Sequence, residues 1–273
     1  MPFSIALAGK GGTGKTTVAG MLMRYLVKTE RTPVLAVDAD SNANLNEVLG
    51  LEVDNTVGGA REEMKKGSVP SGMTKDVFMS MKLEQAIVES SGYDLVVMGQ
   101  PEGSGCYCAA NTLLTGFLEK LTGNYPYVVM DNEAGMEHIS RLTTRNVDLL
   151  LLVSDTSRRG IQAATRINKL ARDLNIGFAD SGLIINRCKE EPSDAIKAIL
   201  EENELKLLGI EVDIGLDDRG FAVGGPKDSH IGDRALPRGE AGRRPVLQEA
   251  DAGPSIFRPR SAASRTGTSA PGR

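Results

Sequence analysis

The sequence lacks any run of 18 or more apolar residues, so no segment is long enough for a membrane-spanning helix. An excess of positive charge is also missing, and the formal net charge of −4 gives no support for binding to nucleic acid. Only three cysteines occur among 273 residues. Because no signal peptide precedes the first apolar strand, we expect a cytoplasmic protein, in which cysteines favour metal or redox chemistry over a disulfide framework.

What is present is the composition of an ordinary soluble globular protein, with 40% hydrophobic and 25% charged residues. Predicted strands and helices alternate, which indicates an α/β fold with a doubly wound, mostly parallel sheet and helices on both faces. The predicted strands are 3–8, 34–37, 93–99, 127–131, 147–153, 183–185 and 207–212, and the main predicted helices are 17–28, 77–88, 111–121, 158–174 and 194–202. Residues 52–75 have little periodicity, and we interpret them as an insertion with a short helix near residues 60–66.

A glycine-rich loop joins the first predicted strand to the first predicted helix. Its spacing, Gly9-x-x-x-x-Gly14-Lys15-Thr16, is that of a phosphate-binding loop (P-loop) of a nucleotide-binding protein. Glycines let consecutive backbone N–H groups turn towards one anion, and the helix N-terminus adds partial positive charge. We expect Lys15 to reach the β- and γ-phosphates and the Thr16 hydroxyl to bind Mg²⁺. The predicted nucleotide-binding residues of the loop are Gly9, Gly11, Gly12, Thr13, Gly14, Lys15, Thr16 and Thr17.

Acidic residues stand at the carboxyl ends of two other predicted strands. Asp38 and Asp40 follow the second strand, and Asp131 ends the strand 127–131. Ligands of open α/β sheets bind at this edge, so we expect these acids to hold Mg²⁺ through water and to orient an attacking water. In the alternative, one of the first two acids only caps the helix that starts near residue 43.

Lys10, directly after the first glycine, gives the loop the KGGTGKT form of the deviant Walker A motif. In this form the sequence resembles the family of dimerising ATPases that includes nitrogenase iron protein and the division-site and plasmid-partition ATPases. The resemblance implies that Lys10 crosses a homodimer to the partner's nucleotide, that Asp40 is linked to hydrolysis, and that Asp38 supports the Mg²⁺ shell. It also implies that Asn186 binds the purine base and that residues 131–138 form a second switch. A solvated loop lysine is the alternative for Lys10. The predicted catalytic residues are Lys10, Lys15 and Asp40.

Cys106 and Cys108 form a C-x-C motif soon after the predicted strand 93–99. Two thiolates cannot complete a tetrahedral site on one chain, but two chains would supply four sulfurs, which suit Zn²⁺, Ni²⁺ or an iron–sulfur cluster. A buried, inert pair is the alternative. We interpret the third cysteine, Cys188, as an ordinary packed thiol.

Together, these motifs resemble the carbon monoxide dehydrogenase maturation ATPases, the nickel-insertion members of the family, over about residues 1–212. The resemblance implies ATP and Mg²⁺ as cofactors, Ni²⁺ or Zn²⁺ bridging the cysteines of a dimer, and the dehydrogenase catalytic subunit as the partner. Three alternatives stay open. A partition or site-selection ATPase would need a basic surface or a membrane-binding helix. An electron-transfer reductase would carry its cysteines on separate loops, and an iron–sulfur scaffold ATPase would carry C-x-x-C nearer the C-terminus.

The tail, residues 215–273, differs in composition from residues 1–214, which we interpret as the ATPase domain. Gly, Pro, Ser and Ala dominate the tail, and nearly every basic residue in it is arginine. Because it offers too little apolar surface to offset the entropy of ordering, we predict disorder. We attribute its composition to a reading-frame shift near codons 211–217. An arginine-rich tail that binds nucleic acid is the alternative, weakened by the acids among its arginines.

Overall fold

The computed structural model describes residues 2–67, 69–100, 107–134, 147–173, 177–188, 191–210, 215–216 and 222–223. The helices in these ranges are α1 Lys15–Lys28, α2 Leu45–Leu49, α3 Val57–Lys65, α4 Lys75–Gln85, α5 Tyr107–Leu121, α6 Arg158–Asp173 and α7 Asp194–Glu202. The strands are β1 Phe3–Gly9, β2 Val34–Asp38, β3 Ile87–Glu89, β4 Tyr93–Val97, β5 Tyr127–Asp131, β6 Val147–Ser154, β7 Phe178–Ile185, β8 Leu207–Ile210, β9 Gly215–Leu216 and β10 Ala222–Val223.

Eight strands form one sheet in the order β3-β4-β2-β5-β1-β6-β7-β8. All neighbours are parallel except β3, which runs antiparallel to β4 at one edge. β1 lies between β5 and β6. On one side the chain runs from β1 to β2 and the edge strand β3, then returns through β4 to β5, and on the other side it winds outward through β6, β7 and β8. The carboxyl ends around β1 therefore border the crevice in which open α/β sheets bind their ligands.

Helices cover both faces of the sheet because its central strands are apolar on both sides. Along β1, Ile5 and Leu7 belong to the core on one face, and Ala6 and Ala8 belong to the core on the other. Helices α1 and α2 pack on the first face, and α3 to α7 contribute to the second core. The predicted doubly wound, mostly parallel fold is confirmed.

Two segments differ from the sequence prediction. The predicted helix 77–88 ends at Gln85, and Ile87–Glu89 form the edge strand β3 instead. Ile87 and Val88 are β-branched, and the ladder with β4 provides the hydrogen-bond partners that decide between helix and strand. The segment interpreted as an insertion contains the short helix predicted near residues 60–66, but this helix, α3, begins at Val57, and its Val57 and Ala60 are part of the core.

Among the described helices, none has the length and apolarity that crossing a membrane requires. In the tail, β9 and β10 form a short antiparallel pair. The rest of the tail that we predict to be disordered lies outside the described residues.

Candidate nucleotide-binding site

The P-loop joins the carboxyl end of β1 to the first residue of α1. Gly14 has a φ of 88°, in the left-handed region that favours glycine. The Thr13 hydroxyl donates a hydrogen bond of 2.8 Å to the Lys10 carbonyl, which closes the turn. A Cβ at Gly9 would overlap the Val153 carbonyl of β6. Gly9 therefore has to be glycine for lack of space, and Gly14 because of its backbone conformation. The loop leads directly into the N-terminus of a helix, where anions bind favourably.

Lys15 is buried in a group of carboxylates. Only 7% of its surface is exposed, and this burial lowers the pKa of its ammonium, while the charges of Asp131, Asp40 and Glu133 oppose the shift. The structure thus brings together Lys15, Asp40 and Asp131, which sequence reasoning had selected from three separate segments. It adds Glu133, a residue of the predicted second switch to which the sequence assigns no individual role.

Asp38 and Asp131 are neighbours at the carboxyl ends of β2 and β5. Both are buried, with 0% and 2% of their surfaces exposed. Burial is the main reason that the pKa of Asp38 rises to about 6 and that of Asp131 to about 7. The ionised forms of two adjacent buried acids are unfavourable without a positive charge nearby. A cation beside them would stabilise these ionised forms.

Asp131 has the features expected of a residue that supports Mg²⁺. Its carboxylate accepts a hydrogen bond from the Thr16 side chain, while its Oδ1 atom is buried and has no hydrogen-bond partner among the described residues. Hydroxyl and carboxylate oxygens are the donors that Mg²⁺ prefers. Thr16 and Asp131 therefore fit a magnesium site, in which the ion would neutralise charge on the nucleotide phosphates.

Asp38 is tied to the backbone that follows it. Its carboxylate accepts hydrogen bonds from the N–H groups of Asp40 at 3.1 Å and of Leu45, the first residue of α2, at 2.9 Å. The capping alternative therefore describes Asp38. Asp40 is only partly buried, and its Oδ1 accepts from the Asn42 N–H at 2.9 Å. The roles of Asp38 around Mg²⁺ and of Asp40 in hydrolysis stay predictions.

The P-loop has an exposed lysine and lies beside Ala134 of the predicted second switch. Lys10 is exposed, and a Cβ at Gly11 would lie 3.6 Å from the Cβ of Ala134. The P-loop thus contacts the beginning of the predicted second switch, whose residues 135–138 are outside the described part of the chain. The contact of Lys10 with a partner's nucleotide stays a prediction.

Asn186 and Arg187, at the carboxyl end of β7, both hold the P-loop. Asn186 is buried, and its Nδ2 donates a hydrogen bond of 3.0 Å to the Thr13 carbonyl. The Arg187 guanidinium donates one of 3.2 Å to the Gly12 carbonyl. A Cβ at Gly14 would overlap the Asn186 amide, so this contact is a second reason for glycine there. The role of Asn186 in binding the base stays a prediction, and Arg187 was not selected from the sequence.

The C-x-C motif is only partly within the described residues. Cys106 lies outside them, and Cys108 is the second residue of α5, where only the backbone is described. Among the described residues, no group of three or more His, Cys, Asp and Glu side chains could hold a metal ion. Cys188 is buried in the core, as expected for a packed thiol.

Comparisons with known proteins agree with this geometry. Residues 4–218 match the CobQ/CobB/MinD/ParA nucleotide binding domain. The chain is 45% identical to an uncharacterized ATP-binding protein of Methanocaldococcus jannaschii over 209 residues, which cover 75% of this chain and 82% of the relative. It is 38% identical to the carbon monoxide dehydrogenase accessory protein CooC of Rhodospirillum rubrum over 187 residues, which cover 63% of this chain and 70% of the relative.

Among solved structures, the septum site-determining protein MinD of Pyrococcus horikoshii, complexed with Mg-ADP, has a TM-score of 0.58. The match covers 78% of this chain and 82% of that chain, at 22% identity. This likeness shows the shared fold.

Proposed function

Because the chain belongs to the CobQ/CobB/MinD/ParA family of nucleotide-binding domains, we propose that it is a cytoplasmic ATPase that acts as a nickel carrier. It dimerises when it binds ATP and delivers nickel to the active-site cluster of carbon monoxide dehydrogenase. The similarity to an accessory protein of that dehydrogenase, at 38% identity, supports this choice of recipient. The observation that carries the proposal is the direct backbone connection between the nucleotide edge and the start of the C-x-C segment.

Nucleotide binding rests on the group of charges around the P-loop. Lys15 and the backbone N–H groups of the loop bind the phosphates, and Thr16 and Asp131 hold Mg²⁺. Asp40, which is partly exposed and interacts with the charge of Lys15, orients the attacking water. Lys10, exposed at the start of the loop, is free to extend towards the nucleotide of a second copy. ATP binding thereby favours a face-to-face dimer.

The connection to the metal-binding segment begins at Met98, directly after β4. The Met98 N–H donates a hydrogen bond of 2.8 Å to the carbonyl of Asp38, the last residue of β2. The Met98 carbonyl accepts one of 2.8 Å from the N–H of Gly58 in α3. Gly99 follows with a φ of 66° and packs against Thr56. The strand end that supports the magnesium site is therefore bonded to the residue from which the chain runs to Cys106.

Coupling between the two sites follows from this connection. Closure of the dimer on ATP brings the two C-x-C motifs together, and four thiolates bind Ni²⁺ or Zn²⁺. Metal and ATP then favour the same closed dimer, so each strengthens the binding of the other. Hydrolysis opens the dimer and releases nickel to the dehydrogenase catalytic subunit.

The alternative function is that of a positioning ATPase, because MinD, a septum site-determining protein, has the same fold. At 22% identity this likeness concerns the fold alone and does not favour a positioning role. The two functions differ in cargo, since a positioning ATPase has no use for a metal held between two chains.

The test is metal analysis of the purified protein, anaerobically, with and without Mg-ATP. We expect about one Ni²⁺ per dimer in the presence of ATP, since two C-x-C motifs form one tetrahedral site. Replacing both cysteines, Cys106→Ser with Cys108→Ser, should abolish nickel binding. Measured without nickel, the affinity of this variant for ATP should stay within about twofold of wild type, because the phosphate site shares no side chain with the motif.

Cys188→Ser is the matched control, since Cys188 is buried in the core and is not part of the motif, and it should keep its nickel. Full retention of stoichiometric nickel by the double variant would reject the carrier function. Visible absorption from iron and sulfide in the purified protein would instead favour a reductase.

A further inference from the structure

Arg187 and Asn186 hold two successive carbonyl groups of the P-loop, those of Gly12 and Thr13. In a trans peptide the C=O and N–H groups point in opposite directions. The carbonyl of Gly12 shares its peptide with the N–H of Thr13, so a bond that draws the carbonyl to one side turns that N–H to the other. The carbonyl of Thr13 has the same relation to the N–H of Gly14. The two bonds therefore fix the direction of two consecutive N–H donors.

The peptide after Gly12 needs such a restraint more than its neighbours do. Gly12 is exposed, has a φ of 77°, and would have no atom within 4 Å of an added Cβ. Glycine moves readily between conformations because it has no side chain. Thr13, on the other side of this peptide, is buried, and its hydroxyl binds the Lys10 carbonyl. Packing thus holds the Thr13 side but not the Gly12 side, where the hydrogen bond from Arg187 supplies the restraint.

Arg187 is itself held in a defined conformation. Its φ is 57°, which is uncommon for a residue other than glycine. Its N–H donates a hydrogen bond of 2.8 Å to Oδ1 of Asn186, and the Asn186 N–H donates one of 2.7 Å to the carbonyl of Ser154 in β6. The Arg187 backbone is thereby connected to the central sheet through the side chain and the N–H of Asn186, and its exposed guanidinium reaches Gly12 from this fixed backbone.

We infer that Arg187 is a positioning residue that turns the Thr13 N–H towards the phosphates before nucleotide binds. P-loop N–H groups cradle phosphates that ATP and ADP share. Arg187 therefore sets the affinity for both nucleotides equally and does not act on the chemical step. The inference rests on the nucleotide-binding part of the proposed function and is independent of nickel.

The experiment is calorimetric titration of wild type and Arg187→Met with Mg-ADP, a Mg-bound non-hydrolysable ATP analogue and Mg-pyrophosphate. Methionine keeps the length of the side chain and removes its donors. Loss of a hydrogen bond from a charged donor weakens the restraint on the loop and therefore the binding of phosphates. We expect all three dissociation constants to rise by a common factor of about five to ten. The value of kcat at saturating ATP should stay within about twofold, so the effect falls on KM.

Two further variants complete the test. Arg187→Lys keeps a charged donor on a flexible chain and should give a smaller increase, about two- to threefold, in the same three constants. Arg166→Met removes an exposed arginine from α6 and should change none of them. If Arg187→Met binds all three ligands with wild-type affinity, the inference is overturned and the proposed function is not affected. The same holds if affinity is lost only for the ATP analogue, which would indicate contact with the γ-phosphate. It also holds if affinity is lost only for the two nucleotides, which would indicate contact with the base. A wild-type protein that binds none of the three ligands would overturn the proposed function as well.

Discussion

At the scale of single residues, the site without nucleotide is dominated by unfavourable charge. Folding raises the pKa of Asp131 from 3.8 to about 7, mainly through burial, and that of Asp38 to about 6. Between pH 4 and pH 7 the folded protein therefore binds more protons than the unfolded chain. The free energy of unfolding then falls as pH rises through this range, and the loss is complete above the folded pKa values.

The replacement Asp131→Asn separates this effect from ligand binding. Because asparagine is neutral at every pH, the variant without nucleotide should melt a few degrees above wild type at pH 8, and the difference should vanish near pH 4. The variant should also lose the stabilisation that Mg-ADP gives to wild type, since the amide that replaces the carboxylate offers no anionic oxygen to the ion. Thermal melts across this pH range, with and without Mg-ADP, measure both effects.

Asp54→Asn is the control for this prediction, because Asp54 is exposed and removing its charge should leave the melting curve unchanged at each pH. A variant Asp131→Asn that melts below wild type at pH 8 would show that the buried carboxylate stabilises the fold.

The residues of the site differ in how far the sequence reveals them. The P-loop is local, and its pattern of glycines, lysine and threonine is readable without knowledge of the fold. Asp40 and Asp131 can also be identified from the sequence, because each stands at or just after the end of an apolar strand and the carboxyl ends of parallel strands meet at one edge. Glu133, although it lies in the predicted second switch, and Arg187 have no individual role that the sequence predicts. Their contacts with Lys15 and Gly12 depend on how distant segments approach each other, and neither has a pattern of its own.

At the scale of elements, α1 and α2 pack closely at Gly20, where α1 has no side chain. A Cβ at Gly20 in α1 would overlap Cγ1 of Val48 in α2. The close contact matters for the site because α1 carries the P-loop at its start, and α2 is capped by Asp38.

The replacement Gly20→Ala tests this contact. Alanine is a better helix former than glycine by about 1 kcal/mol, so an isolated α1 would gain stability. In the protein, the overlap with Val48 should prevail and lower the free energy of unfolding by about 1–3 kcal/mol. Adding Val48→Ala should restore at least half of the loss, because it removes the overlapping methyl group. Urea denaturation of the two single variants and the double variant gives the coupling energy.

An additive double variant, in which Val48→Ala restores nothing, would show that Gly20 is needed for a reason other than its distance from α2.

The sequence predicts elements less well where a partner strand or helix decides the outcome. The pattern of residues 77–88 favours a helix, yet Ile87–Glu89 become β3 because β4 presents an unpaired edge. The helix predicted near residues 60–66 begins earlier, as α3 at Val57, and its side chains Arg61 and Glu62 are buried as an ion pair with an N–O distance of 2.9 Å. Charged residues count against burial in a sequence pattern, and only the fold shows that these two neutralise each other.

At the scale of the whole molecule, the proposed cycle depends on a dimer that lasts as long as ATP is intact. Asp40→Ala should slow hydrolysis by about 100-fold or more, because it removes the group that positions the attacking water. Since opening requires hydrolysis, Mg-ATP should convert the variant into a dimer that persists for the duration of a size-exclusion run. Light scattering on the eluted protein measures its mass.

Lys10→Ala serves as the counterpart, because it removes the proposed contact between the chains. It should remain monomeric with Mg-ATP under the same conditions. Unchanged turnover in Asp40→Ala would remove Asp40 from its proposed role.

The fold of the whole molecule was the most predictable level, because alternating strands and helices leave few arrangements for a parallel sheet. The order of strands was not deduced. It depends on which strands pair across long stretches of chain, as β1 does with β5 and β6.

The buried neighbours Asp38 and Asp131 have a consequence for the lifetime of the protein in the cell. Near neutral pH, a molecule without nucleotide and magnesium keeps two destabilised carboxylates in its interior, and we expect magnesium to compensate them in a loaded molecule. Ligand binding to the folded state reduces the population of opened chains in proportion to its occupancy. Proteases that act on opened chains would therefore remove empty molecules first, and the abundance of this protein would follow the supply of ATP.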